Sequence, residues 1–189
     1  MLADHAHVGG GLAVGGATLF DGDRLVTDGG GSLQAKLGAA QLILMGASAA
    51  AVTRMGRGAR AQLLRGTAMF SSASAESFEV DVADAVVRAH GAHPAVGQVT
   101  LASAKEFVVT CAQGALDVNI GAESRIITAP NSYRVVIENA DPQEPEGAGT
   151  KHARAGGKRR MEIVWIGVGI ISVVTIWGVW RVLHKVSND

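Results

Sequence analysis

Gly29, Gly30 and Gly31 stand in a row with Lys36 close behind them. Glycines ahead of a lysine are the raw material of a phosphate-cradling loop, in which backbone N–H groups and an ammonium share an anion. The spacing fails that chemistry. A Walker loop needs Gly-Lys-Ser/Thr after a four-residue gap, whereas Lys36 here follows Ala35. The residues after the glycines also alternate, with Leu33, Ala35 and Leu37 on one side and Gln34 and Lys36 on the other. That period is a strand, and a phosphate loop needs a helix N-terminus at that place. The earlier run GGGLAVGG lacks the GxGxxG spacing.

Other reactive side chains are dispersed. His5 and His7 lie at an expected frayed terminus, and His90 and His93 flank a turn. A zinc site needs four convergent ligands, and one cysteine with no neighbouring acidic cluster does not supply them. Cys111 ends an apolar run and reads as a small buried hydrophobe. Glu76, Glu79, Asp81 and Asp84 read as a solvated sheet face, with no acid–base couple among them. No catalytic, cofactor-binding or metal-binding residue is therefore assigned, and a non-enzymatic protein is expected. A membrane-tethered hydrolase ranks last among the functions considered.

The elements that would position such residues are mostly strands. Short alternating runs recur as SFEVDV, AVGQVTLA, EFVVTC, ALDVNI, SRIITA and SYRVVIE. Turn residues separate them at Gly56 to Gly58, Gly91 to Pro94, Gln113-Gly114 and Pro130-Asn131. Regular turn spacing with a side-chain period of two predicts an all-β domain, as a solenoid or a sandwich. RLVT is read as a strand framed by turns at Asp21 to Asp23 and Asp28 to Gly31. QLILM and AAAVT are read as two strands joined by a turn at Gly46-Ala47-Ser48.

Composition narrows the setting. The 189 residues carry no net charge, which gives no global field for nucleic acid. A single cysteine excludes an intrachain disulfide scaffold. The N-terminus lacks the basic and continuous apolar regions of a signal peptide.

The apolar residues concentrate in one run. Ile163 to Trp180 contains no charge and holds Trp165 near one end and Trp177 and Trp180 near the other. As a helix it would extend about 27 Å, near the hydrocarbon thickness, with aromatic residues at both interfaces. Lys151, Arg154, Lys158, Arg159 and Arg160 precede it, whereas Arg181 and Lys185 follow. That bias places the upstream domain in the cytoplasm. The expected order is a β domain over 8–138, a flexible basic linker over 139–160, a transmembrane helix over 161–184 and a short tail over 185–189.

The order of these segments resembles a FecR-type domain over roughly residues 12 to 138. LFDGDRLVTDGGGSLQAKLG resembles its opening, with AQLILMGASAAAVT and RAQLLRGTAMFSS similar to the steps that follow. EFVVTCAQGALDVNIGAESRIITAPNSYRVVIE is similar to the closing strands, with Pro130-Asn131 where a glycine often stands. The resemblance implies a repeat-like β domain without catalysis. In the family's namesake such a domain lies in the periplasm and relays a receptor signal to a sigma factor. Here the apolar run follows the domain, so the chain looks more like tail-anchored bacterial members of the family. The expected role is an interaction, scaffold or sensory module on the inner membrane, with the bilayer and a protein as partners and no nucleic acid. The alternative is a transmembrane signalling regulator with its β domain in the periplasm.

Overall fold

The computed structural model describes residues 1–139 and 161–168. All regular structure in that part is β. Thirteen strands form one sheet: β1 (Leu2–Val8), β2 (Gly11–Leu12), β3 (Arg24–Leu37), β4 (Ala40–Met55), β5 (Gly58–Ser72), β6 (Phe78–Val82), β7 (Ala85–Ala89), β8 (Ala95–Ser103), β9 (Glu106–Gln113), β10 (Ala115–Ile120), β11 (Glu123–Thr128), β12 (Ser132–Asn139) and β13 (Met161–Val168).

The sheet folds over on itself because three long strands serve both halves. The first half of β5, Ala59 to Leu63, pairs with β6, and β7, β10 and β11 continue that layer. The second half, Gly66 to Ser72, pairs with β8, and β9, β12 and β13 continue the other. The layers meet through a shared core. Phe70 of the second half lies 5.8 Å, ring centroid to centroid, from Phe78 of β6. Gly97 of β8 leaves room for Phe70 and for Leu116 of β10, since a Cβ there would strike both. Alternation fills this core: Phe78, Val80, Val82, Val87, Leu116, Val118 and Ile120 all point inward and are buried. The strands build one large, all-β sheet that folds over on itself.

The fold line is a row of irregularities across four neighbouring strands. It runs through His5 in β1, Asp28 to Gly31 in β3, Gly46 to Ser48 in β4 and the Leu64–Gly66 step of β5. Bulges bend and re-twist a strand without ending it, which lets each strand switch layers. Ser48 and Thr27, both buried, hold this crease. Ser48 Oγ donates to Met45 O at 2.5 Å and accepts from Thr67 N at 2.8 Å, and Ser48 N donates to Thr27 Oγ1 at 3.1 Å. Gly66 has φ of 79° and sits against Ser48 with no space for a side chain.

Several expectations change accordingly. Asp28 to Gly31 is no turn; it lies inside β3, which runs unbroken from Arg24. Gly46-Ala47-Ser48 is a bulge within β4 and does not separate two strands. The domain also begins earlier than residue 8, because β1 pairs with β3 from Leu2 onward.

The segment expected to open the apolar helix behaves differently. Met161–Val168 is strand β13, paired antiparallel with β12 from Asn139↔Met161 to Ser132↔Val168. Five of its eight residues, Ile163, Val164, Trp165, Ile166 and Val168, are β-branched or aromatic and suit a strand. Ile163 and Trp165 pack on the core, and Val164 and Ile166 face outward. The rest of the expected helix and nearly all of the expected linker lie outside the described residues. Among the described residues no helix is long and apolar enough to cross a membrane.

Candidate interaction surfaces

The residues singled out for possible chemistry are kept apart by the fold. The glycine run lies in the crease, where Gly31 packs against the backbone carbonyls of Asp4 and His5. The glycines at 9–11 turn the chain from β1 into β2, which pairs back on β1. His5 contacts its neighbour Asp4 at 2.9 Å, and both are exposed. Cys111 is fully buried, and its Sγ lies 3.4 Å from Gly114 O and 3.5 Å from Gln113 O. Burial pushes its thiol up to about 11, so the thiolate is scarce at neutral pH. Among the described residues no group of three His, Cys, Asp or Glu side chains is arranged to hold a metal.

Lys36 ends in a different setting. It lines an open cleft of about 710 Å³ with Met1, Phe20, Leu37, Arg54 and Arg57. Asp21 is in the same wall, where its Oδ1 accepts from Arg54 N at 2.6 Å.

The acidic residues form a structured feature that the sequence reading missed. Glu76 and Asp84 are exposed in turns, but Glu79 and Asp81 lie side by side on the outer face of β6 and are largely covered. Register aligns Arg60 of β5, Glu79 of β6, Arg88 of β7 and Asp117 of β10 in one cross-strand row. Charges alternate along that row, the arrangement that favours cross-strand pairs. Arg60 bonds Glu79 through Nε and Nη2 and reaches Asp81 Oδ2 at 3.5 Å. Arg88 Nε is 4.0 Å from Asp117 Oδ2, and His90 Nδ1 is 2.7 Å from Asp117 Oδ1. The "solvated face" is thus a row of ion pairs in which Glu79 is only 6% exposed. Burial holds the Asp81 carboxyl above its ordinary value, against the pull of Arg60 and with the push of Glu79. Only the facing-strand registers reveal this row, and those are not readable from local sequence.

The second feature is the pair of sheet edges on one flank. Arg125 projects from β11, the last strand of one layer. Its guanidinium carbon lies 4.6 Å from the Tyr133 ring centroid on β12 and 5.1 Å from that of Trp165 on β13. The two rings meet edge to face at 6.4 Å. One cation therefore bridges the two layers at their open side. Ile126 on β11 and Val164 and Ile166 on β13 are exposed beside it. Among the described residues no further strand pairs with β11 or β13, and such edges with exposed apolar side chains are surfaces onto which another strand can add.

Comparisons with known proteins give the fold a context. No protein-family model and no curated protein matches the chain. Two crystal structures of a "putative anti-sigma factor" from Parabacteroides distasonis are similar to it. The 1.65 Å structure has a TM-score of 0.54 at 15% identity, over 82% of this chain and 63% of that one. The 2.50 Å structure has a TM-score of 0.54 at 14% identity, over 80% and 62%. These chains share a fold. This chain spans less than two thirds of the length of the Parabacteroides protein.

Proposed function

We propose that this chain is a signalling regulator of FecR type: a non-enzymatic β domain that binds a protein partner while tethered to the inner membrane. The observation that supports it best is the fold shared with the Parabacteroides "putative anti-sigma factor" over most of the chain. The open β11 edge beside Arg125 supplies a recognition mode, since an extended segment can add to it by backbone hydrogen bonds. The uncharged run Ile163 to Trp180 supplies the tether, and the five basic residues before it favour a cytoplasmic β domain. The second reading puts the β domain in the periplasm, where the FecR-type namesake works.

A regulator of this kind alters transcription of a confined set of genes. Transcript profiles of a deletion strain and its complemented parent test this. The expected result is a small regulon that shifts on deletion and returns on complementation. Indistinguishable profiles across growth and envelope-stress conditions would refute the regulatory role.

A further inference from the structure

The strand β13 and the proposed membrane span draw on the same residues. The uncharged run extends from Ile163 to Trp180, and β13 takes its first six residues, Ile163 to Val168. What then remains is 169–180, about 18 Å long as a helix. A bilayer core needs about 30 Å. At about 27 Å the complete run comes close to that span, whereas the remainder falls about 12 Å short of it.

The geometry points to a segment with two mutually exclusive seats. In one, Ile163 to Val168 is docked as β13 on β12. In the other, the same residues leave the sheet and complete a membrane helix. This rests on the membrane-tether reading proposed above.

The docked seat is well defined. All eight residues of β12 pair with β13 in an unbroken register. Ile163 and Trp165 lie on the core, next to Ile137 and Val135 in the register. Trp165 is held by Arg125 and Tyr133. Yet the connection is unlike that of a hairpin. Adjacent antiparallel strands are normally joined by two to five residues, whereas Asn139 and Met161 pair across the whole span 140–160. Loop closure depends only weakly on the number of residues between paired strands, so this sequence separation is compatible with docking.

Each seat has a distinct consequence. Docking shields two large apolar side chains from water and covers the β12 edge. Insertion withdraws them, frees Arg125 and Tyr133, and leaves the N–H and C=O groups of the β12 edge open to an extended partner strand. Membrane seating of the anchor thereby governs access to an interaction edge.

A disulfide across the docked pair tests this. Val136 and Val164 are register partners, and Val164 is on the outer side. The full chain carrying Val136→Cys and Val164→Cys is mixed, oxidised or reduced, with vesicles of phosphatidylethanolamine and phosphatidylglycerol and then floated. The expected result is at least tenfold less floated protein when oxidised than when reduced. Each single-substitution variant, which keeps Cys111 and gains one cysteine, should float equally under both conditions. Equal flotation of both forms of the double variant overturns the proposal. If neither form floats, and the wild type does not either, the tether reading falls and this inference with it. A second measurement is independent of the engineered bond. In a full chain with Trp177→Phe and Trp180→Phe, Trp165 is the only tryptophan. Brominated lipids should quench its emission in the floated protein. Floated protein with unquenched Trp165 would show both seats filled at once and overturn the proposal.

Discussion

Arg125 of β11 lies 5.1 Å from the ring centroid of Trp165 of β13, and so ties the last strand of one layer to the last strand of the other. It also lies 4.6 Å from Tyr133, so a single guanidinium is shared by two rings. Cation–π contacts contribute about 0.5–2 kcal/mol, depending on desolvation. Arg125→Ala should loosen β13 more than the rest of the sheet. Hydrogen exchange is the check: amides of β13 and β12 should exchange several-fold faster, with those of β6 and β10 unchanged. Uniform acceleration across the sheet would mean that Arg125 supports the whole fold and does not act as a local latch.

The crease makes a second prediction. Ser48 Oγ satisfies the part-buried Thr67 N–H and anchors the bulge through Met45 O. Ser48→Ala leaves that donor unpaired, which costs about 1–3 kcal/mol. Gly66→Ala should cost more, because a Cβ collides with Ser48 and the φ of 79° disfavours any side chain. Urea unfolding of both variants measures this. A neutral Gly66→Ala would contradict the tight packing of the crease.

The cross-strand row gives a third. Glu79 is nearly buried and takes its hydrogen bonds from Arg60. Removing one partner of a covered pair strands the other. Arg60 is itself partly exposed, which moderates the loss. Arg60→Ala should destabilise by about 1–3 kcal/mol, and the Arg60→Ala/Glu79→Gln double variant should recover part of it. A double variant as unstable as the sum of the two single variants would deny the coupling.

Asp81 predicts a pH dependence. Its folded pKa is raised, chiefly by burial. The folded state therefore holds the proton more tightly than the unfolded chain. The stabilising contribution of the protonated form is fully present below the unfolded Asp value of about 3.9. It is lost as pH rises through the higher folded value. Asp81→Asn should thus gain stability relative to wild type as pH rises from about 3 to 7, with the gain largest at neutral pH. Unfolding curves at several pH values test this, and a stability difference that does not change with pH would refute it.

Much of the fold was legible from alternation alone. Runs such as SFEVDV and ALDVNI became β6 and β10 because a period of two with one buried face has no other reading. The bulges were misread as turns, since a glycine with positive φ, such as Gly46, serves either purpose. Only the resumed pairing beyond Ser48 distinguishes them. Strand β13 was hidden for another reason: an uncharged run carries no polar phase, so helix and strand look alike along Ile163 to Val168. The ion-pair row was invisible because Arg60 and Asp117 meet only through the two strands between them.

The proposed arrangement is a membrane-tethered β domain whose partner-binding side faces the cytoplasm. Paired reporters fused after Asp189 test it most directly in living cells. The account predicts active alkaline phosphatase and a dark cytoplasm-only fluorescent reporter at that position. A fluorescent reporter with inactive phosphatase would contradict it and put the β domain on the other side of the membrane or leave the chain without a span.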